Sequence, residues 1–142
     1  MNAEVKERLL DRVKTNPYVN HLGVQFTTVE DGIVEARMPL HDEQRQYSGV
    51  IHGGVLAALA DTIAGFAAYT MTPLDKDVLT AELKVSFLRA AWGKELIARG
   101  TVINRDGTFI SVNVRFIATI NWSAKHPVHS VSCSPRCKVN II

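Results

Sequence analysis

The sequence of 142 residues has few cysteines, few aromatic residues and little net charge, and these scarcities exclude several classes of protein. Its two cysteines are too few for the disulfide framework of a small secreted protein. A formal net charge of +2 is too small to indicate a nucleic-acid partner. The length suffices for one hydrophobic core and leaves little room for a second. We therefore expect a single domain over residues 1–142.

Long uninterrupted apolar segments are also missing. A membrane-spanning helix needs about 20 predominantly apolar residues, whereas the most apolar segment, residues 54–70, contains Asp61. Near the start of the chain, Glu4, Glu7 and Asp11 interrupt any apolar core of an export signal. We therefore expect a cytoplasmic protein that binds neither a membrane nor a nucleic acid.

Metal binding is an open alternative only for residues 123–142. Four potential zinc ligands occur there: His126, His129, Cys133 and Cys137. The Cys-x-x-Cys pair typical of structural zinc sites is missing, so the prediction is that the protein holds no metal. The segment shows no sustained period, and we expect irregular structure with one edge strand near residues 128–133.

Hydrophobic periodicity predicts one short helix and several strands. Apolar residues recur four apart from Ala3 to Lys14, which predicts an amphipathic N-terminal helix within residues 1–17 that stops at Asn16-Pro17. Alternating segments predict strands with their apolar side chains on one face. The predicted strands cover residues 24–30, 33–38, 79–88, 95–105 and 109–122. The pairs Asp31-Gly32 and Asp106-Gly107 predict two hairpin turns.

The segment 54–70 predicts a helix of a different kind, because its apolar residues lie all the way round. Such a helix has to be buried, and the alternating strands are the available cover. We therefore predict an α+β fold in which a curved antiparallel β-sheet wraps around one long central helix.

Asp61 is the only charged residue in the segment 55–69. A carboxylate in such surroundings loses hydration without an obvious partner, which indicates a functional role. It is suited to activate a water as a general base or to attack a carbonyl itself. The structural alternative is that Asp61 binds a buried backbone group or pairs with Arg45 or Lys84.

Gly53 and Gly54 introduce the same helix. Their backbone N–H groups have no partner inside the helix, and the helix dipole adds partial positive charge, which together suit the oxyanion of a thioester carbonyl. At 1.5 Å rise per residue, Asp61 lies roughly 10–12 Å from the two glycines along the helix axis. One chain therefore cannot bring both to one carbonyl, whereas two antiparallel helices across a symmetric dimer interface can. We predict a homodimer whose isolated monomer is inactive.

Three segments carry a resemblance to a known family: Gln46 to Gly54 (QYSGVIHGG), Leu59-Ala60-Asp61 and residues 83–89 (LKVSFLR). Together they resemble the hotdog-fold acyl-CoA thioesterases of the phenylacetate-degradation (PaaI-like) type, over residues 15–122. The resemblance implies a hotdog fold and hydrolysis of acyl- or aryl-CoA thioesters. It also implies a homo-oligomer, a dimer or a pair of dimers, and no cofactor apart from the coenzyme A of the substrate.

The resemblance also implies roles for individual residues. Asp61 matches the base or nucleophile, Gly53 the oxyanion donor and His52 the histidine before it. Gln46 stands where the family usually has an asparagine that positions water, and its extra methylene moves the amide by about one bond length. The predicted substrate-binding residues are Gly54, Thr80 and Arg89.

Two other functions remain as alternatives. A hotdog-fold enoyl-CoA hydratase or dehydratase generally pairs a histidine with an acid in other spacings, and no such second pair occurs in the sequence. A non-catalytic acyl-CoA-binding regulator would be expected to carry a DNA-binding helical region, and the segment before Pro17 is too short for one.

Overall fold

The computed structural model describes residues 3–119 and 136–141, apart from the side chains of residues 117–119 and 136–139. Two helices and a hairpin come first: α1 (Ala3–Thr15), α2 (Pro17–Leu22), β1 (Gln25–Glu30) and β2 (Ile33–Pro39). A loop with a short 3-10 turn at Asp42–Gln44 leads to the long helix α3 (Gly53–Thr70). Four strands follow: β3 (Thr80–Val85), β4 (Glu95–Asp106), β5 (Phe109–Thr119) and β6 (Arg136–Ile141).

The described strands form one sheet in the order β1-β2-β4-β5-β6-β3, and every neighbouring pair is antiparallel. Helix α3 contacts all six strands. A single helix can reach every strand of such a sheet only if the sheet curves around it. The predicted α+β fold, a curved antiparallel sheet around a long central helix, is confirmed.

The core lies between α3 and the concave face of the sheet. The predicted inward residues of β2, Val34, Ala36 and Met38, are fully buried. The predicted face of β5 is buried as well: Ile110, Val112, Val114 and Phe116. Helix and sheet meet closely at Gly100 of β4, where an added Cβ would lie 3.0 Å from the Ile63 Cγ2 atom. Glycine at that position therefore sets how closely α3 approaches the sheet.

Both hairpin turns occur where the sequence predicts them. Gly32 has φ 71°, a left-handed conformation that suits glycine, between β1 and β2. Its N–H donates to the Thr70 hydroxyl at 2.7 Å, which ties this turn to the end of α3.

By length and composition, α3 could cross a membrane, with a mean hydropathy of 1.2 over its 18 residues. Half of the helix is buried inside the fold. The core helix of a soluble protein passes the same test, so this helix is weak evidence for a membrane span.

The N-terminal helix ends where predicted, but a second helix begins at once. Asn16 caps α2 because its side-chain oxygen accepts hydrogen bonds from the N–H groups of Tyr18 and Val19, and Pro17 is the first helical residue. The pair Asn16-Pro17 therefore acts as a helix start as well as a helix stop.

Strand β3 is shorter and more exposed than the sequence predicts. Instead of residues 79–88 it covers Thr80–Val85, and Leu79, Phe87 and Leu88 are exposed by 76%, 55% and 69%. Among the described strands β3 pairs only with β6, so it lies at the edge of the sheet that these strands form.

The predicted edge strand near residues 128–133 lies outside the described residues. The prediction of irregular structure is wrong for residues 136–141, which form β6 between β5 and β3. Apolar and polar residues do alternate from Cys137 to Ile141, but the stretch is too short to predict an interior strand without knowledge of its neighbours.

Candidate active site

Asp61 lies in the middle of α3 and is partly buried. The Thr80 hydroxyl donates a hydrogen bond of 2.6 Å to the Asp61 Oδ1 atom. Thr80 is the first residue of β3, and the register with β6 shifts between Thr80 and Glu82. Such irregularities often redirect a side chain beside a functional site. The structure therefore places Thr80, predicted as a substrate-binding residue, against the predicted base.

Arg45 does not neutralise Asp61, which was one of the structural alternatives. Its guanidinium donates to the Gly49 carbonyl at 3.2 Å and to the Gly93 carbonyl at 2.8 Å, and its Nε lies 3.3 Å from an Asp42 carboxylate oxygen. Arg45 instead fixes the loop that carries Gln46.

The loop at Gln46 is tight. The Gln46 N–H donates to the Val50 carbonyl, and the Gly49 N–H donates to the Gln46 carbonyl, both at 2.8 Å. The Gln46 side chain is exposed at the entrance to the helix start. Its amide is therefore accessible for a water or a ligand.

At the start of α3, the backbone N–H groups of Gly53 and Gly54 differ in their hydrogen bonds. His52 is the N-cap, and its Nδ1 atom accepts a hydrogen bond of 2.9 Å from the Gly54 N–H. The Val55 N–H donates to the His52 carbonyl at 3.0 Å. Within residues 3–119 and 136–141, no hydrogen-bond acceptor is found for the Gly53 N–H. Gly53 therefore offers a backbone donor at the positive end of the helix dipole.

Both positions have a steric reason to be glycine. A Cβ on Gly53 would lie 3.3 Å from the Phe87 ring, and a Cβ on Gly54 would lie 3.0 Å from the His52 Nδ1 atom. The missing side chains let the Phe87 ring and the His52 imidazole approach the helix start. Sequence analysis missed the contact of Phe87, because that residue was assigned only to a strand face.

The site residues are divided between two cavities of the protomer. The aspartate cavity, of 510 Å³, contains Asp61 and Thr80 and extends along α3 to the connection between α1 and α2. The glycine cavity, of 430 Å³, is lined by Gln46, Gly53 and Arg89. Along the helix axis, Asp61 and Gly53 are eight residues and therefore about 12 Å apart. One protomer thus presents a carboxylate and a backbone donor in separate cavities.

A polar cluster lies beside the part of the aspartate cavity that is lined by Arg12 and Tyr69. The Tyr69 hydroxyl donates to the Asp77 carboxylate and accepts a hydrogen bond of 2.9 Å from Arg12. Arg12 also lies 2.9 Å from Asp77 and stacks on the Tyr69 ring, 4.4 Å from its centroid. Burial and the hydrogen bond to Asp77 raise the pKa of Tyr69. That hydrogen bond and the charge of Arg12 hold the pKa of Asp77 below its ordinary value.

A second arginine of α1 caps the C-terminal end of α3. Arg8 donates to the carbonyls of Tyr69, Thr72 and Pro73 at 3.0, 2.9 and 2.7 Å. These carbonyls lie at the negative end of the helix dipole, where a cation is favourable. This role of Arg8 could not be predicted from the sequence, because the amphipathic pattern of α1 does not show which helix packs against it.

No group of three or more potential metal ligands occurs within the described part of the chain. His126, His129 and Cys133 lie outside that part, as does the side chain of Cys137. The alternative of a zinc site therefore concerns residues that the structure does not describe, and it is untested.

Comparison with protein families identifies the superfamily of the chain. Residues 48–119, which include Gly53, Asp61 and Thr80, match the model of the thioesterase superfamily.

Two relatives are similar in sequence. A Haemophilus influenzae protein named as an esterase is 34% identical over 95 residues, which cover 67% of this chain and 69% of that protein. The proofreading thioesterase EntH of Klebsiella pneumoniae is 38% identical over 80 residues, 56% of this chain and 58% of that protein.

Two solved structures share the fold. A thioesterase family protein from Silicibacter pomeroyi has a TM-score of 0.86 at 23% identity, with 96% of each chain covered. The PaaI protein from the phenylacetic acid degradation operon of E. coli has a TM-score of 0.81 at 14% identity, with 96% of this chain and 91% of that chain covered. The predicted resemblance to hotdog-fold thioesterases and the predicted enzyme class, a thioester hydrolase, are confirmed.

Proposed function

The chain belongs to the thioesterase superfamily, and from this premise we propose that it hydrolyses acyl- or aryl-CoA thioesters to the free acid and coenzyme A. One observation carries the proposal. A carboxylate on the central helix is held by a hydroxyl, Thr80 to Asp61 at 2.6 Å, at the wall of a 510 Å³ cavity. Cavities of this size are typical of small-molecule sites.

The proposed reaction uses Asp61 as the base. Thr80 engages the Oδ1 atom, and the Oδ2 atom takes a proton from a water. The hydroxide adds to the thioester carbonyl carbon, the carbon–sulfur bond then breaks, and the proton passes to the departing thiolate of coenzyme A. Direct attack by Asp61, followed by hydrolysis of the resulting anhydride, is an alternative route with the same products.

We assign the oxyanion to the Gly53 N–H of a partner subunit. The separation of the aspartate cavity and the glycine cavity supports this assignment, since about 12 Å is too far for one carbonyl to reach both residues of one chain. A symmetric homodimer with antiparallel α3 helices would build two equivalent sites. A pair of such dimers and a cytoplasmic location stay predictions.

The remaining polar residues complete the site. Because the His52 Nδ1 atom accepts from the Gly54 N–H, the neutral imidazole carries its proton on Nε2, which can donate to the substrate. Gln46 lies in the glycine cavity, where its amide would position the water or the thioester, as predicted for the asparagine of similar enzymes. Arg89, in the same cavity, is assigned to the phosphates of coenzyme A.

Complementation between two inactive variants tests the reaction and the shared site together. Asp61→Ala is expected to lower kcat about a hundredfold to ten-thousandfold on a panel of acyl- and aryl-CoA thioesters. Gly53→Pro removes the N–H at the first helical position, where the helix backbone accepts proline, and it also adds the Cβ that approaches the Phe87 ring. In a heterodimer of the two variants, one site again combines Asp61 with the Gly53 N–H. Random assortment of the co-expressed variants should therefore restore about one quarter of the wild-type activity.

Activity of the mixture no higher than that of the separate variants would contradict the shared site. Thioesterase activity of Asp61→Ala equal to that of the wild type on every substrate would contradict the reaction itself. Hydration of enoyl-CoA, measured in parallel, distinguishes the hydrolase from a hydratase, and tight binding without turnover would indicate a binding protein.

A further inference from the structure

The aspartate cavity continues from Asp61 toward the C-terminal end of α3. Asp61, Gly65 and Tyr69 are spaced four residues apart, so they share one face of the helix and all three line the cavity. Each step of four residues advances about 6 Å along the helix axis. The cavity thus has a carboxylate at one position, a glycine one turn further and an aromatic ring two turns further.

Gly65 leaves this cavity open. Among the described residues, a Cβ built on Gly65 would meet no atom within 4 Å apart from its chain neighbours and its own helix backbone, unlike the Cβ built on Gly53, Gly54 or Gly100. Glycine in the interior of a helix costs about 0.5–1 kcal/mol relative to alanine. No close neighbour within residues 3–119 and 136–141 explains that cost at Gly65, but the open space above it does if a ligand occupies the space.

Tyr69 lines the cavity two helical turns beyond Asp61, and it is fixed from two sides. Its hydroxyl is bound by Arg12 and by Asp77, while the Arg12 guanidinium stacks on its ring. Arg8 holds the backbone carbonyl of the same residue at 3.0 Å. The ring therefore cannot turn aside without breaking several charge-assisted contacts, and it forms a rigid wall beside the space above Gly65.

We propose that Gly65 and Tyr69 set the size of the acyl group, so that the substrates are thioesters of compact acyl groups and not of long fatty acids. The acyl group lies over Gly65 with its carbonyl beside Asp61, and it stops at the Tyr69 ring. This assignment rests on the proposed function. Gly65 provides space, and Tyr69 limits length, in a cavity bordered by the apolar side chains of Phe66, Val78 and Leu79.

The test is a profile of kcat/KM against acyl length, from acetyl-CoA to palmitoyl-CoA, for the wild type and four variants. Gly65→Ala and Gly65→Leu fill the open space in two steps. Both should lower kcat/KM for the wild type's preferred acyl group, Gly65→Leu by at least about tenfold, while acetyl-CoA is affected least. Tyr69→Ala should shift the longest accepted acyl group upward. Tyr47→Ala is the matched control, because Tyr47 is fully exposed and borders neither cavity.

The set of variants also distinguishes a change in acyl preference from unfolding of the protein. Leucine is a better helix former than glycine, so Gly65→Leu should fold even if Tyr69→Ala does not. Sedimentation of each variant checks that the oligomeric state is unchanged.

Hydrolysis with the same length profile in wild type and Gly65→Leu would overturn this inference and leave the proposed function intact. A wild type that accepts palmitoyl-CoA as well as short acyl groups would also overturn it. No hydrolysis of any thioester by the wild type would overturn the proposed function and the inference with it.

Discussion

The two ends of α3 are stabilised in opposite ways. At the N-terminal end the helix is capped locally by His52; His52 and Gly54 are exposed, and Gly53 is partly buried. At the C-terminal end two arginines from another helix, Arg8 and Arg12, bind the last carbonyls and the Tyr69 hydroxyl. At the first end, Gly53 and Gly54 have no side chains that could cover the Gly53 N–H. At the second end, the long side chains of Arg8 and Arg12 fix Tyr69, which lines the aspartate cavity.

The comparison also explains why the site residues are of such different kinds. Gly53 would act through its N–H, which any residue except proline carries, so its identity follows from the close Phe87 ring. Asp61 would act through its side chain, so its position depends on a partner, Thr80, from a distant strand.

Gly53→Pro should reduce kcat about a hundredfold to a thousandfold, because it removes the proposed oxyanion donor, a loss of about 3 kcal/mol. Gly53→Ala is the matched control, since it keeps the N–H but adds the Cβ that approaches Phe87. Steady-state kinetics of both variants gives the answer. Equal losses in the two variants would assign the effect to the Phe87 contact and contradict the backbone donor.

Arg8→Met should lower the free energy of unfolding by about 2 kcal/mol, because a charged donor to several helix-end carbonyls is lost while the apolar part of the side chain is kept. Urea unfolding followed by circular dichroism measures the change. Lys6→Met, on the same helix, controls for the loss of one positive charge. A stability equal to that of the wild type would show that Arg8 does not secure the end of α3.

Thr80→Val should lower kcat by about fivefold to tenfold, since the valine keeps the shape but removes one hydrogen bond to the Asp61 carboxylate, worth about 1 kcal/mol. Thr80→Ser retains the hydroxyl and should keep most of the activity. The comparison of kcat and KM for the two variants tests whether Thr80 positions the base. An effect on KM alone would instead support the original prediction of a substrate-binding residue.

Asp77→Asn should have the smallest effect, below about 1 kcal/mol of unfolding free energy, because Asp77 is largely exposed. The folded-state pKa of Asp77 is lowered below its ordinary value of 3.8 by the Tyr69 hydrogen bond and Arg12. Its stabilising contribution is therefore present above that value and is lost as the pH falls through the lower, folded-state pKa.

Urea unfolding of wild type and Asp77→Asn at several pH values tests this dependence. The difference between the two proteins should be constant near neutral pH and should shrink in acid. Asp75→Asn, in the same loop, controls for the loss of one negative charge. A difference that grows as the pH falls would contradict the assigned direction.

The sequence predicts the parts of the fold whose environment is encoded locally. Strand β2 and the inner face of β5 carry a strict alternation, and helix α3 is apolar all round, so each could be placed without knowing its neighbours. The edge position of β3 and the interior position of β6 could not be predicted from the sequence. Strand order depends on pairing between segments that lie far apart in the chain.

The same distinction holds for the candidate site. His52, Gly53 and Asp61 lie in one short segment, at the cap and in the body of one helix, and they carry part of the resemblance to thioesterases that is visible before any coordinates are known. The hydrogen bond from Thr80, the ring of Phe87 over Gly53 and the arginines at the far end join residues that are distant in sequence. Sequence spacing does not report such contacts.

The amino-acid sequence alone thus predicts the central helix, its apolar surroundings, the carboxylate within it and the glycines before it. The coordinates are needed to show that the Thr80 hydroxyl binds this carboxylate and that Gly53 and Gly54 differ in their hydrogen bonds. Secondary structure follows from local backbone and hydrophobic patterns, whereas the walls and hydrogen-bond partners of a site come from segments that folding brings together.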